Sequence, residues 1–220
     1  MKRRKNIITV AIDSPAAAGA GTQAKLIAKH YNLLYCDTGK IYRFVGLLRL
    51  INQKKFNYTF VKEKISKLKI KDLQDRKLLT EDVANSASII SKSKIIRNIV
   101  HKFQQKCAYS PPSKFAGSVL DGRDIITVQM KDAKFKFFIT ASVKIRAKRR
   151  YKEYKSLNKK ITYKEVLKNL RKRDKSDQER PKKLGKLYKT KDSILINTTK
   201  LSKKACFRKI KAIMDRKLNN

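Results

Sequence analysis

The chain has 220 residues, of which 57 are lysine or arginine and 17 are aspartate or glutamate, so its formal charge at pH 7 is +40. This length predicts one domain with enough chain for a buried core, and this charge predicts a salt-sensitive attraction to polyanions. Three widely spaced cysteines and two histidines form neither a disulfide framework nor a zinc-binding spacing, which favours a reducing compartment.

The first apolar run follows the basic start MKRRK, as in a signal peptide, but Asp13 interrupts it too early. No later apolar run approaches the length of a membrane span, so we expect no membrane partner. We also expect the protein to be cytoplasmic and monomeric. The run itself predicts the first of about five short, buried β-strands. These strands are predicted at Ile7–Ile12, Leu33–Cys36, Val119–Leu120, Phe135–Thr140 and Ile194–Asn197.

Continuously apolar strands that alternate with helices predict an α/β fold whose parallel sheet is covered on both faces. Ligands of such sheets bind beyond the carboxyl ends of the strands. Asp13, Asp37 and Asp121 each follow one of the predicted strands. We therefore expect these three carboxylates to converge at the edge of the sheet where the ligand binds.

Helices are predicted in the gaps between the strands. The predicted helices are Gly21–Tyr31, Thr38–Ile51, two within Asp82–Lys106 broken near Ser91–Ser93, one from Ser142 to about Tyr154, one opened by a capping box of Thr162 and Glu165, and Leu201–Leu218. Two segments interrupt this alternation. Asn52–Leu79 is polar and predicts a small insert, whereas the charged segment Tyr151–Lys191 predicts either a mobile lid or a solvated helical hairpin.

The loop after the first strand is typical of a phosphate-binding loop. Its residues are Ser14, Pro15, Ala16, Ala17, Ala18, Gly19, Ala20, Gly21 and Thr22. Gly19 and Gly21 give the backbone freedom that an anion-binding nest needs, and Thr22 offers a hydroxyl to Mg²⁺ or a phosphate. Ala20, however, lies where such loops carry lysine. A small-residue turn between a strand and a helix is the structural alternative.

Three further motifs lie at or beyond predicted strand ends. DTGKIYR places Thr38 as the cap of a helix and Arg43 further along it, where the two suit a second phosphate. DGRD places Arg123 between Asp121 and Asp124, and RDKSDQER places Arg173, Asp177 and Arg180 on one helical face. Each motif has a structural alternative. DTGKIYR could be a capped helix with a surface arginine, DGRD a β-turn with a local ion pair, and RDKSDQER a solvated charged face.

Together the four motifs resemble the bacterial cytidylate kinase family, which phosphorylates CMP and dCMP. The resemblance runs along nearly the whole chain and includes VANSAS (Val83–Ser88) followed by Arg97, RAKRR (Arg146–Arg150) and NTTKLS (Asn197–Ser202). It implies a P-loop NTPase-like three-layer fold. It divides the chain into a core (1–51, 107–150 and 192–220), an insert for the nucleoside monophosphate (about 52–106) and a helical lid (about 151–191).

The resemblance also implies the role of each site residue. The loop residues 14–22 match the ATP-binding loop, with Mg²⁺ bound together with ATP and no metal held by the protein alone. The residues that match the substrate site are Thr38, Arg43, Ser88, Arg97, Asp124 and Asp177, with Ser88, Arg97 and Asp124 reading the cytosine. Those that match catalytic positions are Arg123, Arg173 and Arg180.

Three residues depart from the family pattern. Ser14 and Ile126 replace glycines, and Ala20 replaces the lysine that bridges the β- and γ-phosphates. We therefore expect transfer of the γ-phosphoryl group of ATP to CMP or dCMP at a reduced rate, with Lys25, Lys182 and Lys183 as candidate replacements for the lysine. The alternative is a catalytically decayed kinase that binds nucleotide or RNA through its positive charge, although evenly spread lysines favour compositional drift over a dedicated nucleic-acid surface.

Overall fold

A parallel five-stranded sheet forms the centre of the computed structural model, which describes residues 6–158, 160–181 and 186–219. The strands are β1 (Ile8–Asp13), β2 (Leu33–Asp37), β3 (Gly117–Gly122), β4 (Phe135–Thr140) and β5 (Ile194–Asn197). Their order across the sheet is β2-β3-β1-β4-β5. The predicted α/β fold with a parallel sheet of about five strands is confirmed.

Eight α-helices connect or follow these strands within the described residues. They are α1 (Ala20–His30), α2 (Thr38–Ile51), α3 (Tyr58–Lys67), α4 (Glu81–Ile90), α5 (Lys94–Tyr109), α6 (Val143–Ser156), α7 (Tyr163–Glu179) and α8 (Lys203–Leu218). The predicted break between α4 and α5 is confirmed, and Ser93 caps the second helix by accepting a hydrogen bond from Ile96 N. The predicted capping box of Thr162 and Glu165 opens α7.

Apolar side chains that alternate along the strands cover both faces of the sheet. On β1, Val10 and Ile12 pack into the apolar cluster that contains residues of α1 and α8, whereas Ala11 packs into the cluster that contains residues of α2 and α5. On β3, Val119 packs into the first of these clusters and Leu120 into the second. Because successive side chains of a strand point to opposite faces, two separate cores form, as expected for a parallel sheet.

The register of the strands brings the predicted acidic residues to one edge. Asp121 pairs with Ile12 of β1 and with Asp37 of β2, and Asp13 pairs with Gly122. The carboxyl ends of β1, β2 and β3 therefore lie side by side. This arrangement follows from the strand order, because β3 lies between β1 and β2 although it comes third in the chain.

Residues 52–109 contribute no strand to the sheet and fold as helices and short 3₁₀ turns against α2. At Gly46, a Cβ atom would lie 2.8 Å from the backbone N of Ala87 in α4. This close approach explains why a glycine occurs within α2 at the crossing. Helices α6 and α7 pack against each other, and their apolar cluster of Ala147, Val166 and Leu170 includes Ala16 of the loop after β1. No helix of the described residues is long and apolar enough to cross a membrane.

Candidate active site

The loop between β1 and α1 has the backbone of an anion-binding turn. Gly19 has φ 96° and Ala17 has φ 61°, so two loop residues adopt the left-handed region. Ser14, which replaces a glycine of the family pattern, is not among the residues with positive φ. The residue that carries a side chain in a left-handed conformation is Ala17 instead, and such a conformation costs about 1–2 kcal/mol relative to glycine.

Donors from outside the loop occupy its carbonyl groups. Arg146 Nη1 donates to Ala16 O at 3.2 Å, and Arg149 Nη1 and Thr198 Oγ1 donate to Ala18 O at 3.3 and 2.9 Å. The first N–H groups of α1 have no partner within the helix, because helical bonding begins with Gln23 N to Gly19 O. The polar groups left at the mouth of the loop are thus N–H donors, which suit an anion.

The chain has an uncharged residue where such loops carry lysine. Ala20 is the first residue of α1 and is 4% exposed, with its methyl group in the apolar core. Lys25, one turn further along α1, is exposed, and its charge lowers the pKa of Asp121. Lys25 thus lies on the side of α1 that faces the end of β3. The other two candidates, Lys182 and Lys183, lie outside the described residues.

The start of α2 differs in one respect from the prediction. Asp37, not Thr38, caps the helix, because Asp37 Oδ1 accepts a hydrogen bond from Lys40 N at 3.1 Å. Thr38 is the first helical residue, and its hydroxyl donates to Asp121 O at 2.7 Å. This bond ties α2 to the end of β3 and uses the hydroxyl that was predicted to bind a phosphate.

The carboxylates of Asp13 and Asp121 at the sheet edge differ in their surroundings. Asp13 accepts hydrogen bonds from Ile125 N and Ile126 N at 2.8 and 3.0 Å, so it anchors the turn that follows DGRD. Burial and the nearby Asp124 raise the pKa of Asp13 to about 7. Ile126, which replaces a glycine of the family pattern, is buried in a π-helical turn, and the N–H groups of Ile125 and Ile126 in this turn donate to Asp13.

Asp121 is the second carboxylate at this edge; it is half-buried and lies near the start of α1. Burial and the charge of Asp37 raise its pKa to about 8, against the smaller lowering effects of the Tyr35 hydroxyl, Arg123 and Lys25. Its Oδ1 atom is buried and has no hydrogen-bond partner among the described residues. A positively charged ligand at this edge would relieve both the burial and the repulsion from Asp37.

Arg97 and Asp124 form a buried ion pair between α5 and the turn after β3. Arg97 Nη1 also approaches Ser91 O at 3.5 Å, and Ser91 Oγ donates to Ser88 O at 2.9 Å. The structure therefore brings together two of the three predicted cytosine-reading residues. Ser88 itself is exposed on α4 and is linked to the pair only through Ser91.

Residues of α7 meet the core around Asp177. Arg123 Nε lies 3.0 Å from Asp177 Oδ2, and Arg180 Nη2 lies 3.3 Å from Asp177 Oδ1. Arg180 follows the end of α7. The prediction that it shares a helical face with Arg173 and Asp177 is therefore wrong. Its guanidinium group nevertheless reaches Asp177 because the chain turns there.

Positive charge accumulates at this meeting point. Arg173 is exposed, but partial desolvation among its neighbours, together with the charge of Arg123, lowers the pKa of its guanidinium to about 10, and Arg43 and Arg150 act in the same direction. The pKa of Arg43 is likewise lowered by burial and by Arg150. Arg43 Nη1 donates to Leu78 O at 2.7 Å, which holds it at the edge of this cluster.

The sequence assigned no role to Arg150, Arg146 or Arg149, although it singled out the basic stretch that contains them. Arg146 is buried, and it pairs with Asp174 of α7 at 2.6 Å while donating a hydrogen bond to the loop at Ala16 O. Their spacing of three and four residues on a helix that directly follows β4 was the available signal. Among the described residues, no group of three or more His, Cys, Asp or Glu side chains could hold a metal ion.

Comparison with known proteins places the sequence of this chain in a family. The family model described as cytidylate kinase matches residues 10–216. The cytidylate kinase of Clostridium botulinum (strain Hall) is 38% identical over 203 residues, which cover 87% of this chain and 90% of that protein. The cytidylate kinase of Thermosipho melanesiensis is 39% identical over 203 residues, which cover 88% of this chain and 90% of that protein.

Solved structures support the fold. A crystal structure of an uncharacterized protein from Eubacterium ventriosum has a TM-score of 0.55 at 17% identity and covers 94% of this chain and 98% of its own. A protein from Thermus thermophilus, TT1252, has a TM-score of 0.50 at 13% identity, with 96% and 98% covered. The family match extends over nearly all of the strands and helices described above, and the chain belongs to the cytidylate kinase family.

Proposed function

We propose that this chain transfers the γ-phosphoryl group of ATP to CMP or dCMP, and that the absence of the loop lysine slows the transfer. The observation that carries the proposal is the arginine cluster where the lid meets the core. Its members are Arg43, Arg123, Arg150, Arg173 and Arg180. Among the described residues, the carboxylates that ion-pair with them are Asp177 and Glu153, so positive charge is in excess.

An excess of guanidinium groups, four of them half-buried and Arg173 exposed, suits the transfer of a phosphoryl group. This reaction needs little covalent participation by the protein and depends on positioning and on positive charge around the transferring group. Desolvation and the neighbouring Arg123 lower the pKa of the Arg173 guanidinium, and bound phosphate oxygens would offset the repulsion between the arginines. We assign Arg123, Arg173 and Arg180 to the transferring phosphates and Arg43 to the phosphate of CMP.

The acceptor base would lie against the Arg97–Asp124 pair. Cytosine presents an exocyclic amino donor beside ring acceptors, whereas uracil presents a carbonyl oxygen in place of the amino group. A carboxylate of Asp124 can accept from the amino group while Arg97 donates to the acceptors. Ser88 is assigned to the same base edge through the family motif.

ATP would bind with its phosphates over the N–H groups at the start of α1. The family implies a divalent metal bound with the nucleotide, and we propose Mg²⁺. The residues present fit such an ion, because Asp121 has an unpartnered buried oxygen, Asp37 lies beside it and the Thr22 hydroxyl is exposed at the helix start. These are the hard oxygen ligands that Mg²⁺ prefers. When bound, the ion would offset negative charge on the phosphates.

The division into core, insert and lid is part of the proposal. Residues 151–191 would cover the site, and residues 52–106 would hold CMP. The ion pairs of Asp177 with Arg123, and of Asp174 with Arg146, join the lid helix to the core in this structure. A closed lid would exclude water, so that the γ-phosphoryl group of ATP passes to CMP rather than to water. We also propose that the protein acts as a cytoplasmic monomer.

A binding protein for nucleotides or RNA is the second candidate, favoured by the formal charge of +40 and by the buried alanine at position 20. A coupled assay of ATP turnover with CMP, dCMP, UMP and AMP separates the two candidates. The kinase proposal expects turnover that depends on CMP or dCMP. No turnover, together with RNA affinity that falls steeply with salt, would establish the binding protein instead.

A further inference from the structure

His101 lies beside the ion pair to which we assign the base, one helical turn beyond Arg97 on α5. Its Nε2 atom is 4.0 Å from Asp124 Oδ2, the same oxygen that Arg97 Nη2 contacts. The histidine side chain is 22% exposed, but its Nε2 atom is buried and has no hydrogen-bond partner among the described residues. Arg97 and His101 therefore approach one oxygen of the carboxylate from the same helix.

Tyr42 of α2 faces the same place. Its hydroxyl is buried without a hydrogen-bond partner among the described residues, and the charges that act on it include Arg97 and Asp124. Burial raises the pKa of Tyr42, so the phenol stays neutral. Two unpartnered polar atoms beside one ion pair are costly in a folded protein unless a ligand with complementary groups binds between them.

We propose that His101, in its neutral form, is a specificity-determining residue of the base pocket that favours cytosine over uracil. The inference rests on the proposed function and adds a residue to it. Neutral His101 leaves Asp124 neutralised by Arg97 alone, so the carboxylate remains an acceptor for the amino group of cytosine. The carbonyl oxygen of uracil would face this carboxylate without a donor between them.

Protonation of His101 would weaken this preference. Burial and Arg97 lower the pKa of His101 while Asp124 raises it, and the net shift is downward, so the imidazole is neutral near pH 7. The charged groups that face it are Arg97 on its own helix and Asp124 from the turn after β3, with the neutral Tyr42 from α2. When the imidazole takes a proton from solvent, Nε2–H pairs with Asp124 and offers a donor to a carbonyl oxygen.

The first test is the ratio of the dissociation constants of UMP and CMP, measured by calorimetry between about pH 8 and about pH 5. Because both nucleotides carry the same phosphate, its protonation cancels in the ratio. We expect the preference for CMP to fall about tenfold as the pH decreases in the wild-type protein. It should stay constant in His101→Gln and in His101→Leu. A constant ratio in the wild type, or the same slope in a folded variant, would overturn the proposal.

The second test needs no variant. The chain contains two histidines, so an NMR titration of the imidazole signals resolves both. His30 is the internal control, because it is exposed at the end of α1, where its ring lies 5.7 Å from the ring of Phe207. CMP should shift the signal of His101 and leave that of His30 in place. CMP-dependent ATP turnover with an unmoved His101 signal would overturn this inference alone, whereas absence of both CMP binding and turnover would overturn the proposed function.

Discussion

Restoring the loop lysine is the most direct test of why this site should be slow. In Ala20→Lys, the new side chain would start from the first residue of α1, and helical side chains tilt toward the N-terminus of their helix. The ammonium group would therefore reach toward the mouth of the loop. CMP binding should change little, because the proposed base pocket lies at Asp124, beyond the end of β3.

The size of the gain follows from what already surrounds the loop. One positioned donor to developing negative charge is typically worth about 10²–10³ in rate. Arg149 Nη1 lies 3.3 Å from Ala18 O and 4.0 Å from where a Cβ atom of Gly19 would be, so some positive charge is present without the lysine. We therefore expect a gain in kcat of about tenfold to a hundredfold, or about 1.4 to 2.7 kcal/mol of barrier.

Single-turnover transfer of phosphate from ATP to CMP measures this gain. Ala20→Met is the matched control, because it has a stem of similar length without the charge and reports the cost of filling a site that is 4% exposed. The reasoning would be refuted if Ala20→Met accelerated transfer as much as Ala20→Lys. Brisk turnover without a gain would mean that another lysine substitutes, and Lys25→Ala should then abolish it. No turnover in any variant would favour the binding protein.

Four further predictions concern other parts of the structure. Asp124→Asn should raise the dissociation constant of CMP at least tenfold more than that of ATP, since Asp124 pairs with Arg97 away from the loop; equal weakening by calorimetry would contradict the assignment. Protease should cut the free protein within residues 151–191, and ATP with CMP should slow the cut, because a closed lid is better protected; unchanged cutting would count against a lid. Ala17→Gly should stabilise the protein by about 1 kcal/mol in urea denaturation, because Ala17 has φ 61°; Ala18→Gly, without positive φ, is the control and should not stabilise. The pKa of Asp121 is about 8 in the folded protein against 3.8 unfolded, so the folded state retains a proton that the unfolded state loses. The free energy of unfolding should thus fall as pH rises from about 4 to about 8, and Asp121→Asn, measured the same way, should reduce that slope; equal slopes would show that the carboxyl group is not held protonated.

Local sequence signals were sufficient for most of the secondary structure. Strands β4 and β5 and helix α2 have the predicted bounds, because apolar runs and helical periodicity are properties of neighbouring residues. The capping box at Thr162 and the break before Ser93 are equally local. The predicted cap of α2, Thr38, was one residue too late, because Asp37 and Thr38 are both good caps. In the structure the hydroxyl of Thr38 is bonded to Asp121 O, and Asp37 caps the helix.

The sequence by itself determined the chemistry of the site, whereas the tertiary structure decided which groups meet. The motifs named Arg97, Asp124 and Arg123, but the pairing of Arg123 with Asp177 joins residues that are 54 positions apart. The strain at Ala17 and the approach of His101 to Asp124 were likewise not predictable from spacing. Composition and periodicity report what each segment can form alone, and contacts between segments depend on the order in which β3 enters between β1 and β2.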